Sequence, residues 1–229
     1  MFALYSSTVL VLAPIATLRY HVAIPLARRE RSAVALLVLS GATALLFASF
    51  LAVVMLVAGE VILYSLSLDP LTPYVMLIPL GVLAASLFET MTMWATRQRV
   101  FRTIAWTQIL QSFLGEGLKV ILGFASIGPG GLIVGHLSGH SLSVLNYGFQ
   151  SAGRIRPALG GMSVKLLKLL AMRFRNFPII RTPGQILLAF ATQAPLFLVA
   201  ANYDVSVAGQ MGIAMLAFFG LYMYLRLSG

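Results

Sequence analysis

The chain has 229 residues, 59% of them hydrophobic and only 10% charged, with a mean hydropathy of +0.93 and a formal net charge of +10. A soluble domain of this length could not bury so much apolar surface, so lipid is expected to solvate much of it. Cysteine is absent, which excludes a disulfide framework, a thiolate metal site and a cysteine nucleophile.

The distribution of charge argues against a nucleic-acid partner. All but Arg19, Lys119 and Arg226 of the 16 basic residues fall in three stretches: 28–31 (Arg28, Arg29, Arg31), 97–102 (Arg97, Arg99, Arg102) and 154–181 (Arg154, Arg156, Lys165, Lys168, Arg173, Arg175, Arg181). The alternate gaps, near Glu60 to Asp69, near Gly128 and near Asp204, hold no basic residue. Cytoplasmic loops collect Lys and Arg, so the three basic stretches are expected inside.

A spanning helix needs about 20 mainly apolar residues. Seven segments satisfy this, at roughly 2–26, 33–59, 72–96, 102–126, 129–150, 182–203 and 206–227. The expected fold class is therefore all-α, a polytopic membrane helix bundle. Span one runs inward to Arg28, which puts Met1 outside and predicts a further helix before this sequence; Met1 to Ala13 also lacks the basic start of a cleavable signal. Leu68-Asp69-Pro70 separates spans two and three, and Gly128-Pro129-Gly130-Gly131 separates spans four and five. Within span five, Gly131, Gly135 and Gly139 recur every four residues, a small-residue stripe for close helix packing. His136 and His140 stand at i and i+4 there, but no third ligand completes a metal site, so none is expected.

Residues 151–181 form the one extended polar region. From 163 to 176 they read SVKLLKLLAMRFRN, a basic amphipathic helix suited to the inner membrane surface or to a solvated linker. Phe177-Pro178 and Thr182-Pro183 then stop and restart the chain. Three domains follow: an N-terminal membrane lobe at 1–150, a basic cytoplasmic connector at 151–181 and the first two spans of a second lobe at 182–229.

Three runs carry a resemblance. ATLRYHVAIPLARRE at 16–30, WATRQRVFRTIAWTQILQS at 94–112 and RFRNFPIIRTPGQILLAFATQAPLFLVA at 173–200 resemble, in order and spacing, landmarks of bacterial oligosaccharide flippases of the polysaccharide-exporter superfamily. His21 stands where that family has an acidic residue, and Met211 and Leu216 where it has an aromatic and an arginine. The resemblance implies translocation of a polyprenyl-diphosphate-linked oligosaccharide across a bacterial plasma membrane, with no cofactor. It also implies that this chain supplies the second to the eighth helix of a longer protein and is inactive alone. Two other functions stay open: a cation-coupled drug exporter of the same superfamily, or a non-transporting lobe that scaffolds a glycosyltransferase or polysaccharide polymerase. No enzyme signature appears, and there is no Gly-x-x-x-x-Gly-Lys loop to cradle a nucleotide.

Ionisable groups inside spans are costly and mark cavities or internal pairs. Arg19, about 13 Å above the inner loop at 1.5 Å per residue, either grips a diphosphate in a cavity or is paired structurally. Glu89 lies at the same depth and either pairs with Arg19 or couples a cation. Glu116 and Lys119, at i and i+3, either neutralise each other or set the potential of the cavity. Gln193, two residues before Pro195, marks a bent helix that either lines a cavity or packs against a neighbour.

Overall fold

The computed structural model describes residues 1–66, 68–124, 128–160, 162–203 and 205–228, and for 69, 205 and 222–228 the backbone alone. Asp204 and the residues just before Gly128 lie outside the described residues. Among those described, the chain is helical with no strand: α1 (Phe2–Ala16), α2 (Glu30–Ser65), α3 (Leu77–Arg97), α4 (Phe101–Phe124), α5 (Pro129–Leu159), α6 (Val164–Arg173), α7 (Thr182–Asn202) and α8 (Val205–Ser228).

Three helices are long and apolar enough to cross a membrane: α2 with 36 residues, α3 with 21, and α7 together with the turn before it, Phe177–Asn202, with 26. α1 and the stretch Ser206–Leu221 are apolar but shorter. The count of seven spans is thus a finer statement than the helices themselves carry. The outward face of α2 holds Leu46, Phe50, Leu56, Val57 and Val61, all strongly exposed. Large apolar bands of this kind are not left facing water.

Two differences from the expected spans have clear local causes. The first helix stops at Ala16 instead of running to residue 26, because Leu18 and Arg19 take left-handed φ values of 48° and 56°, through which a right-handed helix cannot continue. The chain continues as a 3-10 turn over Tyr20–Ala23. At the other extreme, α5 runs through Arg154 and Arg156 to Leu159, so the expected connector at 151–181 begins as helix. Its amphipathic part is α6, capped by the Ser163 hydroxyl, which accepts a hydrogen bond from the Leu166 amide at 3.2 Å. The prolines at 178 and 183 do not break the chain. A single π turn, Phe177–Arg181, leads directly into α7, and Thr182 Oγ1 donates to the Phe177 carbonyl across it at 3.3 Å.

Two apolar clusters occupy opposite ends of the bundle. One gathers Leu4, Tyr5, Val9, Leu63, Leu71, Ile78 and Ile133 with Leu196 of α7. The second joins Ala23, Ile24 and Ala33 to Leu37 with Trp94, Leu170 and Phe177. Around this second cluster the three basic stretches meet. Arg97 donates to the Ala27 and Ile24 carbonyls, Arg154 to Gln98 Oε1 at 2.6 Å, and Tyr20 to the Ala171 carbonyl at 3.4 Å. One end of the molecule is therefore strongly basic.

Candidate functional site

The break after α1 creates the first candidate site. Left-handed backbone at Leu18 and Arg19 turns the chain back on itself and keeps Arg19 partly buried, with its Nε enclosed and without a hydrogen-bond partner. An arginine in such a backbone state, with a buried donor unmet, is a local cost that packing alone does not require. His21 follows, only 2% exposed, its Nδ1 at 2.8 Å from the Thr17 hydroxyl. Its Nε2 lies 3.4 Å from Glu89 Oε2 on α3. Glu89 buries that oxygen without a hydrogen bond but leaves 38% of its side chain open.

Pairing with Arg19 is one of the two readings that the equal depth of Glu89 leaves open. The close partner of Glu89 is His21, and the Arg19 charge acts on both from further away. His21 stands where the resembling family has an acidic residue. In the fold a carboxylate from α3 occupies the neighbourhood, so the cluster has two basic groups and one acid.

The second candidate is an open cleft of about 330 Å³ between α3 and α4, floored by α5. Phe88 lines one side, Gln108, Gln111 and Lys119 the other, and His136 and His140 the floor. Glycine packing explains its shape. The backbones of Gly115 on α4 and Gly135 and Gly139 on α5 touch, so α4 lies closely against α5 and leaves its polar stripe facing α3. Lys119 rests its stem on Gly135, pairs with Glu116 Oε1 at 2.7 Å and sets its ammonium 4.7 Å from the Phe2 ring. The mutual neutralisation of Glu116 and Lys119 is thus present, and both also line the cleft. His136 and His140 sit 4.6 Å apart, ring centre to ring centre, edge-on to Phe2 and Phe88 respectively. Among the described residues no three His, Asp or Glu side chains converge as metal ligands.

Next to this cleft, Asn146 Nδ2 donates to the buried Thr107 hydroxyl at 2.9 Å. The Tyr147 hydroxyl lies near Thr92 and Thr107 without forming a geometrically sound hydrogen bond to either. Gln193 belongs to neither site. Its Oε1 accepts from the buried Ser7 hydroxyl at 2.7 Å, which ties α7 to α1.

Sequence reasoning singled out Arg19 and Glu89 but missed that Phe88 and Glu89, consecutive on α3, serve the two sites on adjacent faces. It also missed Gln108 and Gln111. Their signal was available, since 108, 111, 112, 115, 116 and 119 recur at helical spacing as a polar stripe. Comparison of the chain with protein-family models, with curated proteins and with solved structures finds no match.

Proposed function

We propose that the protein is a polytopic membrane transporter that moves a polyprenyl-diphosphate-linked oligosaccharide between the leaflets of a bacterial plasma membrane by alternating access. The observation that carries this reading is Arg19, a partly buried cation inside an apolar bundle with an unmet Nε donor. A guanidinium held in this way suits a diphosphate, whose oxygens it can meet in bidentate fashion. The strongly apolar flank of α2 supports a lipid-borne substrate and a bilayer environment. The shared basic end supports a cytoplasmic position for residues 28–31, 97–102 and 154–181.

Without a nucleotide-cradling loop, movement draws on an ion gradient, the membrane potential or consumption of the product. A second reading, a cation-coupled exporter, is favoured by one feature: the partly open Glu89 carboxylate set against His21 and Arg19.

Deletion of the reading frame should remove surface polysaccharide and leave its lipid-linked precursor to accumulate in the inner leaflet. Normal polymer with normal precursor levels would sink the proposal. The membrane architecture has its own test, made simple by the absence of native cysteine. In otherwise unaltered protein, Arg29→Cys and Arg156→Cys should react with an impermeant thiol reagent only in opened cells. Ser65→Cys, at the opposite end of α2, should react in intact ones. The reverse pattern would invert the orientation.

A further inference from the structure

We propose that the pocket between the start of α2 and the α3–α4 turn binds the phosphate of an anionic phospholipid headgroup, with Arg99 as its charged ligand. The proposal rests on the membrane setting argued above and not on transport. The pocket measures about 460 Å³ and is lined by Pro25, Glu30, Thr96, Arg97, Gln98 and Arg99. That volume lies within the range of small-molecule sites.

Most of the lining is already committed. Arg97 spends its guanidinium on the Ala27 and Ile24 carbonyls, and Gln98 is held by Arg154 at 2.6 Å. Arg99 is different. It is exposed, and among the described residues its guanidinium has no hydrogen bond or ion pair. Its backbone closes the α3 terminus at φ 55°, with the Arg99 amide on the Thr96 carbonyl at 3.0 Å and the Val100 amide on the Ala95 carbonyl at 3.4 Å.

A left-handed residue at this position of a helix end is usually glycine, because a Cβ is disfavoured there. An arginine held against that preference points from strain to function. Compensation of the helix dipole does not require it, since Arg97 already stands in the last turn. Glu30 is the one acid in the pocket, set against exposed Arg28, Arg29 and Arg102 close by in the chain. The surroundings select a lipid over a soluble phosphate. Leu26 and Phe101, which flank the pocket in sequence, are 62% and 63% exposed and offer acyl chains an apolar surface next to the cation. Basic pockets at the inner ends of membrane helices bind anionic headgroups in this way.

The test uses the full chain in neutral detergent and counts bound phosphatidylglycerol against phosphatidylcholine by native mass spectrometry. The unaltered protein should retain phosphatidylglycerol selectively. Arg99→Gly should weaken that retention about fivefold, the share of one surface cation, while the thermal midpoint stays at or above that of the parent because backbone strain is relieved. Arg99→Lys should keep most of the binding. If Arg99→Gly does not fold, Arg99→Asn serves instead, since asparagine tolerates the left-handed region.

Parent-like retention by Arg99→Gly would overturn the site. So would an equal loss in Arg156→Gln, which removes the same charge elsewhere on the basic end. Displacement of phosphatidylglycerol by pyrophosphate at constant ionic strength would reassign the site to soluble phosphates and overturn the lipid source. The membrane setting is read separately through Trp106, 65% exposed on α4, while Trp94 is fully buried. Quenching of Trp106 by brominated phosphatidylcholine in nanodiscs supports embedding, and no quenching removes it whatever Arg99 does.

Discussion

Arg19→Gly should all but silence polysaccharide export while the protein remains in the membrane with an unchanged thermal midpoint. The two effects separate because of the backbone. Arg19 sits at φ 56°, where any side chain costs about 1 kcal/mol and glycine costs almost nothing. Relief of that strain offsets the lost longer-range attraction to Glu89. The lost guanidinium has no substitute, since the nearest basic group, His21, is already engaged with Thr17 and Glu89. A charge-assisted contact to phosphate is worth about 1.5–3 kcal/mol, so export should fall by about tenfold to a hundredfold. Surface polymer measured in cells that carry the variant, beside a melting curve, decides the matter. Export at the parental rate would remove Arg19 from the binding role. A parallel fall in midpoint would make it a structural residue.

Gly135→Ala carries the largest expected effect on stability. A Cβ at this position would stand 2.6 Å from Lys119 Cγ, 3.0 Å from the Lys119 amide nitrogen and 3.1 Å from the Gly115 carbonyl oxygen. The lysine stem can rotate away, but two of these neighbours are backbone, so α4 itself must move off α5. Overpacking of this kind costs about 1–3 kcal/mol. Because α4 forms one wall of the cleft, the same displacement should also separate Lys119 from the Phe2 ring. Gly148→Ala on the same helix is the control. Nothing lies within 4 Å of its added Cβ. That substitution should stabilise α5 by about 0.5–1 kcal/mol through the lower helix propensity of glycine. The two single-methyl changes should therefore shift the melting point in opposite directions. Shifts of the same sign would mean that the α4–α5 contact is not tight.

Much of this was legible without coordinates. Mean hydropathy and the spacing of basic residues predict an all-α chain with long apolar helices, and α2, α3 and α7 meet that expectation. The glycine stripe at 131, 135 and 139 predicts close packing, and all three make tight contacts with α4. The Glu116–Lys119 pair was readable because helix geometry alone brings i and i+3 together. Helix lengths were less legible. The stop at Ala16 depends on two residues in left-handed backbone, and nothing in the composition of Leu18 and Arg19 asks for it.

Pairings between distant segments were beyond the sequence. Equal depth along two spans made Arg19 and Glu89 natural partners, yet depth says nothing about rotation about each helix axis. The early end of α1 sets His21, rather than Arg19, within close range of Glu89. Likewise the sequence left Gln193, beside Pro195, either to line a cavity or to pack on a neighbour, and the fold sets it on Ser7 where α7 crosses α1.

By itself, then, the sequence determined the class: apolar content and segment length call for long apolar helices, and three of those described are long and apolar enough to cross a membrane. Those properties sum along the chain and need no knowledge of neighbours. Only the tertiary structure decided that three basic stretches share one end through Arg97 and Arg154, that Phe88 and Glu89 face different sites, and that Lys119 shares a cleft with two histidines. Each of these depends on the azimuth of one helix against another, set by glycine contacts and a left-handed turn. An error of one residue in either would turn a side chain by about 100°.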